Sequence, residues 1–417
     1  MKKKLLCMAL SMGLIAGSAS TAFGATAAPT VDTTIPPAEN ATMEFSGTPI
    51  SLSLKDTITK MKTEGTTAET IELARTQLEL YSKSSSEAMS TLKEGRKEAQ
   101  AYADAGVRVV IPSLTDPTAK SIELAKNYFK QAAVVSYAAA MKNVESNATK
   151  IYYGILQAQE GYRIAGEAVK LSQTTYDHAK LKLNLGTVTK KDVLEAHNGL
   201  LTAQAEQAAA LTGVKTAKMA FNTAMGYNVM QAVTFTDSLA TGESKEAMLP
   251  LTDAINSAYE NRAEIMNAKY TWQNAELSLA GVNAYPRDSA KYLTAQFDFN
   301  SAKEDYKTTV SGIEQEVRTL YMQVTDAKND LTTARAAYEN AQETARLAKL
   351  QYDAGLCTMT DLQGAQTAQY GAQLKVSSAI TTYDLALFAY NNSPYLGSSS
   401  GGSASGSSGG QAAEEAE

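Results

Sequence analysis

Leu183-Asn184-Leu185-Gly186-Thr187-Val188-Thr189-Lys190-Lys191-Asp192-Val193-Leu194-Glu195-Ala196 is followed, at a constant offset of 169 residues, by Tyr352-Asp353-Ala354-Gly355-Leu356-Cys357-Thr358-Met359-Thr360-Asp361-Leu362-Gln363-Gly364-Ala365. Gly, Thr, Asp and the trailing Ala coincide in the two stretches. Each copy reads as a helix stopped by glycine, a short turn, and a second helix that is capped by Thr or begins near Asp. Each is therefore the tip of a helical hairpin, and the duplication predicts a chain of two related halves. The starts of the halves correspond as well: Leu52-Ser53-Leu54-Lys55-Asp56-Thr57-Ile58 resembles Leu249-Pro250-Leu251-Thr252-Asp253-Ala254-Ile255.

Proline placement sets how long the helices can be, because proline breaks a helix interior. The nine prolines cluster at 29, 36, 37 and 49, pair at 112 and 117, and stand alone at 250, 286 and 394. No proline lies between Thr118 and Leu249, and Ile313 to Ala354 contains neither proline nor glycine. At about 1.5 Å per residue the latter segment alone would run roughly 60 Å as a helix. Tyr338, Ala341, Ala345, Ala348 and Tyr352 recur there at helical spacing. A stripe so narrow and alanine-rich lets helices approach closely, as in a coiled-coil wall. The expected fold is all-α in the main: two tandem repeats of long antiparallel helical hairpins forming a coiled-coil stalk.

Lys2, Lys3 and Lys4 precede an apolar stretch from Leu5 to Ala16, and Ala22-Phe23-Gly24 supplies a small-residue cleavage site. This reads as a secretory signal peptide, so the chain is exported. Its removal takes away three lysines and no acid, moving the formal charge from −6 to −9. Basic residues are scattered among acids, which excludes a nucleic-acid surface. Cys357 alone remains after cleavage, so packing rather than a disulfide holds the chain. No later stretch is long and apolar enough for a membrane helix. Any crossing would need strands in a closed barrel.

At these residues the sequence resembles the TolC-like outer membrane efflux protein family. The family's repeat pattern is met by Gly186, Asp192, Val193, Leu194, Ala196 and Met225-Gly226, then by Tyr352, Gly355, Asp361, Leu362, Ala365 and Gln366. Asn261-Arg262-Ala263-Glu264-Ile265 with Tyr285-Pro286 resembles the family's opening of a half. The resemblance covers roughly residues 50 to 396. It implies a homotrimer whose hairpins form a tapered periplasmic tunnel topped by an outer-membrane barrel, working with a periplasmic adaptor and an inner-membrane pump. It implies no cofactor, no metal and no chemistry of the chain's own.

The barrel segments depart from that pattern. Two membrane strands and their loop need about 25 residues or more. Arg287 to Asp305 shows alternation only from Tyr292 to Phe299, ahead of a helix expected near Tyr306. In the first half Val107 to Ile111 reads as one short strand before Pro112 and Pro117. Leu54 to Gly186 spans 132 positions and Leu251 to Gly355 only 104. Barrel strands are thus expected to be short or absent, which argues against outer-membrane insertion and keeps open a second role, that of an exported helical stalk with a structural or interaction function. The expected organisation is a signal peptide at 1–24, a disordered leader at 25–48, a first helical repeat at 49–226, an inter-repeat segment at 227–249, a second repeat at 250–396, and a disordered Gly/Ser/acidic tail at 397–417.

By the resemblance, Asp361, with Asp192 and Glu195 in the first half, is the candidate tunnel constriction, where carboxylates could select cations. The family's second acid, three residues beyond Asp361, is Gly364 here. The plainer reading is a first-turn carboxylate stabilising a helix N-terminus. Gly186, Thr187, Val188, Thr189 and Lys190, with Gly355, Leu356, Cys357 and Thr358, are the candidate adaptor-facing tips; read plainly, they are turns. His178 and His197 have no Cys or carboxylate set around them and read as a solvated helix face, while Cys357 reads as an exposed thiol without a base. Trp272 reads as packing.

Overall fold

The computed structural model describes residues 44–64, 66–107, 116–237 and 246–397. The signal peptide, the leader before Glu44, residues 108–111 of the expected first-half strand and the tail beyond Gly397 lie outside them. Every element belongs to the compact unit Phe45–Glu417. The order is β1 (Ser46–Leu52), α1 (Leu54–Thr63), α2 (Thr66–Asp104), α3 (Asp116–Asn184), α4 (Lys190–Ala224), β2 (Gln231–Phe235), α5 (Leu251–Asn261), α6 (Ala263–Gly281), α7 (Ala290–Asp353) and α8 (Met359–Asn391). The mainly α-helical fold is as expected. At about 1.5 Å per residue α3 runs about 100 Å and α7 about 95 Å.

These two helices are the spine. Above mid-height α3 packs between α2 and α6, and α6 packs on α7; below it α3 packs between α4 and α8, and α8 packs on α7. The helices therefore stand in a row, α2-α3-α6-α7 above and α4-α3-α8-α7 below. The alanine stripe read from the sequence faces the row: Ala345 and Tyr352 are buried, and Tyr338, Ala341 and Ala348 half-buried. Close approach is visible where α4 meets α8. There a Cβ on Gly199 would collide with the Gln363 amide.

Bulky packing concentrates at mid-height. One cluster joins Leu52, Tyr152, Ile155, Leu156, Phe221, Met225, Val233, Leu331 and Ile380; a second joins Ala254, Ile255, Ile265, Ile313, Val317, Val324, Leu387 and Tyr390. The first carries a parallel pair, β1 on β2, with Ile50 opposite Val233 and Leu52 opposite Phe235. Neither strand was expected. β1 begins at Ser46, inside the segment assigned to a disordered leader, and β2 lies in the inter-repeat segment. Asn222 is fully buried and holds the approach to β2, its amide donating to the carbonyls of Val229 (2.8 Å) and Gln231 (3.0 Å). Asp237 accepts from the Leu54 amide and from the Tyr152 hydroxyl, each at 2.8 Å. Burial, then that carboxylate, pushes the Tyr152 hydroxyl well above the usual range.

Arg262 ties the second half together. It sits in extended backbone between α5 and α6 and is 2 % exposed. Its guanidinium meets Glu264 (3.1 Å) and Glu316 of α7 (2.9 Å), and donates to the carbonyls of Ser393 (3.1 Å) and Leu396 (3.0 Å). One side chain thus joins α6, α7 and the segment after α8.

The second-half segment in which strand alternation was read is helical. Tyr292 to Phe299 belongs to α7, which begins at Ala290 rather than near Tyr306, with Ser289 accepting from the Tyr292 amide. The alternation there comes from Tyr292 packing inward while Leu293 and Phe297 point outward. Residues 282–289 make a tight turn, and Val107 closes a glycine turn at the end of α2.

Removing Arg262 breaks its buried ion pair with Glu316, a loss that typically costs about 3–5 kcal/mol. Arg262→Ala should lower unfolding stability by that order, read by urea denaturation. Arg262→Lys should recover only part, since an ammonium cannot match the four acceptors. A loss below about 1 kcal/mol, the level of an exposed ion pair, would contradict this role.

Candidate functional site: the paired hairpin tips

The two hairpin tips are built alike. At the end of α3, Gly186 takes φ +74°, its amide donates to Leu183 O (2.9 Å), and the Thr187 amide reaches back to Lys182 O (2.9 Å). At the end of α7, Gly355 takes φ +76°, donates to Tyr352 O (3.1 Å), and the Leu356 amide reaches Gln351 O (2.8 Å). This double bond pattern satisfies helix-end carbonyls and needs a left-handed residue, which glycine supplies. Three residues on, a threonine starts the next helix. Thr189 Oγ1 accepts from the Asp192 amide while Asp192 Oδ2 accepts from the Thr189 amide at 2.7 Å. Thr358 and Asp361 repeat this, with 2.9 Å for the amide bond and 2.6 Å between hydroxyl and carboxylate.

Asp192 and Asp361 are thus capping carboxylates. Accepting from the Thr189 backbone and then its hydroxyl holds the Asp192 carboxyl below its usual range. Asp361 is held low by the Thr358 hydroxyl and then its backbone. Asp361 is exposed and Asp192 half-buried, and both stay ionised, so capping leaves their charge in place. Glu195 does something else: its carboxylate accepts from Thr360 Oγ1 (3.1 Å) and pairs with Lys191 (3.5 Å), while its carbonyl accepts from the Gln363 amide (3.2 Å). It is a bridge from α4 to α8.

Further bonds bring the tips side by side. Lys182 Nζ donates to Tyr352 O (3.1 Å), lies 3.6 Å from Asp353 and sits 4.0 Å from the Tyr352 ring centre. Ala179, Ala196, Tyr352, Met359 and Leu362 form a small core beneath both turns. Burial, and next the charge of Asp192, raises the Tyr352 hydroxyl. Gly186, Thr187, Thr189, Lys190, Gly355, Leu356 and Thr358 face outward, Leu356 at 78 % exposure. Val188 and Cys357 are turned partly inward. Cys357 is therefore not the freely exposed thiol expected: its Sγ donates to Ala348 O at 3.4 Å, and burial raises its pKa. His197 likewise stacks on Tyr176 at 4.9 Å instead of standing in solvent. Among the described residues no group of His, Cys, Asp and Glu could hold a metal ion.

Sequence reasoning did not anticipate Lys182, Thr360 and Gln363, which fasten one tip to the other. Each makes a contact across about 165–170 residues. Only the equal offset of the two motifs hinted at it.

Residues 287–389, covering α7 and most of α8, match the outer membrane efflux protein family. No curated protein matches the chain. Among solved structures, the chain is similar to the open-state MtrE outer membrane channel of Neisseria gonorrhoeae, with 14% identity over 82% of this chain and 88% of that one and a TM-score of 0.60. It is also similar to the CmeC outer membrane channel of Campylobacter jejuni, with 14% identity over 68% of each chain and a TM-score of 0.55. The outer membrane protein VceC of Vibrio cholerae matches at 15% identity over 65% of this chain and 75% of that one, with a TM-score of 0.51. The resemblance to the TolC-like efflux proteins is borne out, in sequence over the second hairpin and in fold across most of the chain.

Losing a threonine cap costs typically about 1 kcal/mol. Thr189→Ala and Thr358→Ala should each speed amide hydrogen exchange in the first turn of α4 or α8 while leaving mid-height exchange unchanged. Because both aspartate pKa values are lowered on folding, their stabilisation is complete above the ordinary value near ~3.9 and is lost as pH falls through the lowered one. Tip protection, taken as exchange relative to the intrinsic rate at each pH, should therefore be flat from about pH 5 to 7 and fall only in acid; a fall near neutral pH would contradict the capping assignment.

Proposed function

We propose that this chain is the subunit of a closed homo-oligomeric duct, a homotrimer by its resemblance, that carries efflux substrates passively from an inner-membrane pump and its adaptor and performs no chemistry. The observation that carries this is the row of helices with two open flanks. In α2, Leu73 and Leu80 lie on the side away from buried Leu92; in α4, Leu194 and Leu201 lie away from Ala196 and Leu200. On α7, Leu293 and Phe297 above and Leu347 and Leu350 below turn away from the buried face. One flank of the row is α2 and α4, the other is α7. A head-to-tail joint between different flanks closes into a ring where its rotation per copy divides a full turn, and exposed leucines on both give it an apolar seam. The tips at the lower end, with Leu185 and Leu356 outward, are where the adaptor would dock, and the ionised Asp192 and Asp361 would line the ring's narrow end. Placement in the cell envelope, toward an outer membrane, follows from the same likeness.

The second reading, an exported stalk with a structural role, draws on the short connections at the upper end. Two measurements separate and test these proposals. Deleting the gene in the native host should raise sensitivity to exported toxic compounds, with restoration by the intact gene; unchanged sensitivity across a broad panel would favour the stalk. Leu201→Glu or Leu347→Glu should shift the purified protein from a discrete oligomer toward monomer without loss of helicity, read by mass photometry and circular dichroism. An unchanged oligomer in both variants would refute the seam.

A further inference from the structure

Three glutamine side chains in the lower half have nothing to bond to. Gln342 of α7 and Gln366 and Gln369 of α8 lack a hydrogen-bond partner among the described residues, and Gln366 is 7 % exposed. A buried amide left unpaired costs about 1–3 kcal/mol, so its presence calls for a reason. Packing does not supply one. Counting back the 169 residues that relate the two halves, Leu200, buried and apolar, stands where Gln369 does, and His197, stacked on Tyr176, stands where Gln366 does. The second half thus carries two amides at positions that the first half fills with packed groups, the kind of local departure that marks a functional site.

All three line one groove of about 350 Å³, a volume in the range of small-ligand sites. Its lining comes from α3, α8 and α7, which stand next to one another in that order, so it opens on a face of the row and not on either flank. Leu171 and Ala345 give it an apolar patch, and Arg346 enters already paired with Glu343 (2.7 Å). Two charges are left over. Glu339 lies toward the upper end and Lys349 toward the tips, and among the described residues neither has an opposite charge or a hydrogen bond. They are ten helical residues apart, about 15 Å of rise. We propose that this groove binds a short extended peptide of about four or five residues, with its amino end at Glu339, its carboxylate at Lys349 and its backbone groups paired with the glutamine amides. An extended chain covers about 3.3 Å per residue, which matches that span. Each glutamine amide carries both donors and an acceptor, the set that a peptide group needs. A neutral saccharide would leave both charges unanswered, and a helix would spend its backbone groups on itself and leave the amides unpaired. The site goes beyond the duct reading and does not depend on it.

Saturation-transfer NMR on the purified, full-length protein tests this with tetra-alanine as the probe. The expected result is saturable binding that falls at least about tenfold when acetylation and amidation block both peptide ends, and that maltotetraose neither shows nor displaces. Lys349→Met, at an exposed position that leaves the fold alone, should weaken binding about fivefold to tenfold, the loss of one charge-assisted bond. Gln366→Leu should weaken it about tenfold while helicity and the thermal midpoint stay level or rise, because the change removes an unpaired buried amide. That combination separates a binding role from a structural one. No saturable binding of tetra-alanine, equal binding of the blocked peptide or of the sugar, or binding unchanged in both variants would overturn the proposal. So would a lower thermal midpoint in Gln366→Leu with binding intact, which would make the amide a structural group only.

Discussion

A helix standing in a row can bury only the sides that face its neighbours, and that constraint shapes this molecule. Away from mid-height the four helices form a single rank, so each keeps two faces in water and the rank keeps two open flanks. Apolar residues are accordingly confined to narrow stripes, and alanine dominates them because close approach replaces bulk as the source of contact. The same constraint explains why leucines appear on the outer sides of α2, α4 and α7. A single chain cannot cover them.

Since a lone rank is weakly held, the chain fixes itself at mid-height and at the lower end. At mid-height large side chains pack in depth, and buried polar groups fasten strands and loops to helices: Asn222 on the approach to β2, Asp237 at the start of α1, Arg262 on the residues after α8. At the lower end, glycine and threonine set each turn, and Lys182 and Glu195 join the two turns. Between these fixed points, helices about 95–100 Å long act as rods, so a change at the tips is carried on continuous backbone toward the girdle.

Much of this was legible in the sequence. Gly-x-x-Thr-x-x-Asp is local chemistry, with a left-handed stop, a cap and a capping carboxylate within seven residues, so both tips could be read directly. The proline-free stretches marked where long helices lie but not their full lengths, since α7 runs on through Gly312 to Ala290. What escaped was non-local. β1 pairs with β2 across more than 180 residues, and five- to seven-residue strands carry little pattern. The start of α7 was misplaced because Tyr292 to Phe299 mimics strand alternation when a helix has one face packed and aromatic groups on the other. Asp192 and Asp361 were singled out for a constriction, and capping explains their position in a single chain. Glu195, grouped with them, proved to be a bridge whose partner, Thr360, lies in the other half.

The account turns on how the open flanks are covered. Electron cryo-microscopy of the purified, full-length protein resolves this directly. The predicted reconstruction is a ring of three copies in which Leu347 and Leu350 of one copy lie against Leu194 and Leu201 of the next, with Leu293 and Phe297 against Leu73 and Leu80 above. Well-folded single chains, or a two-fold dimer that pairs like flank with like flank, would contradict it.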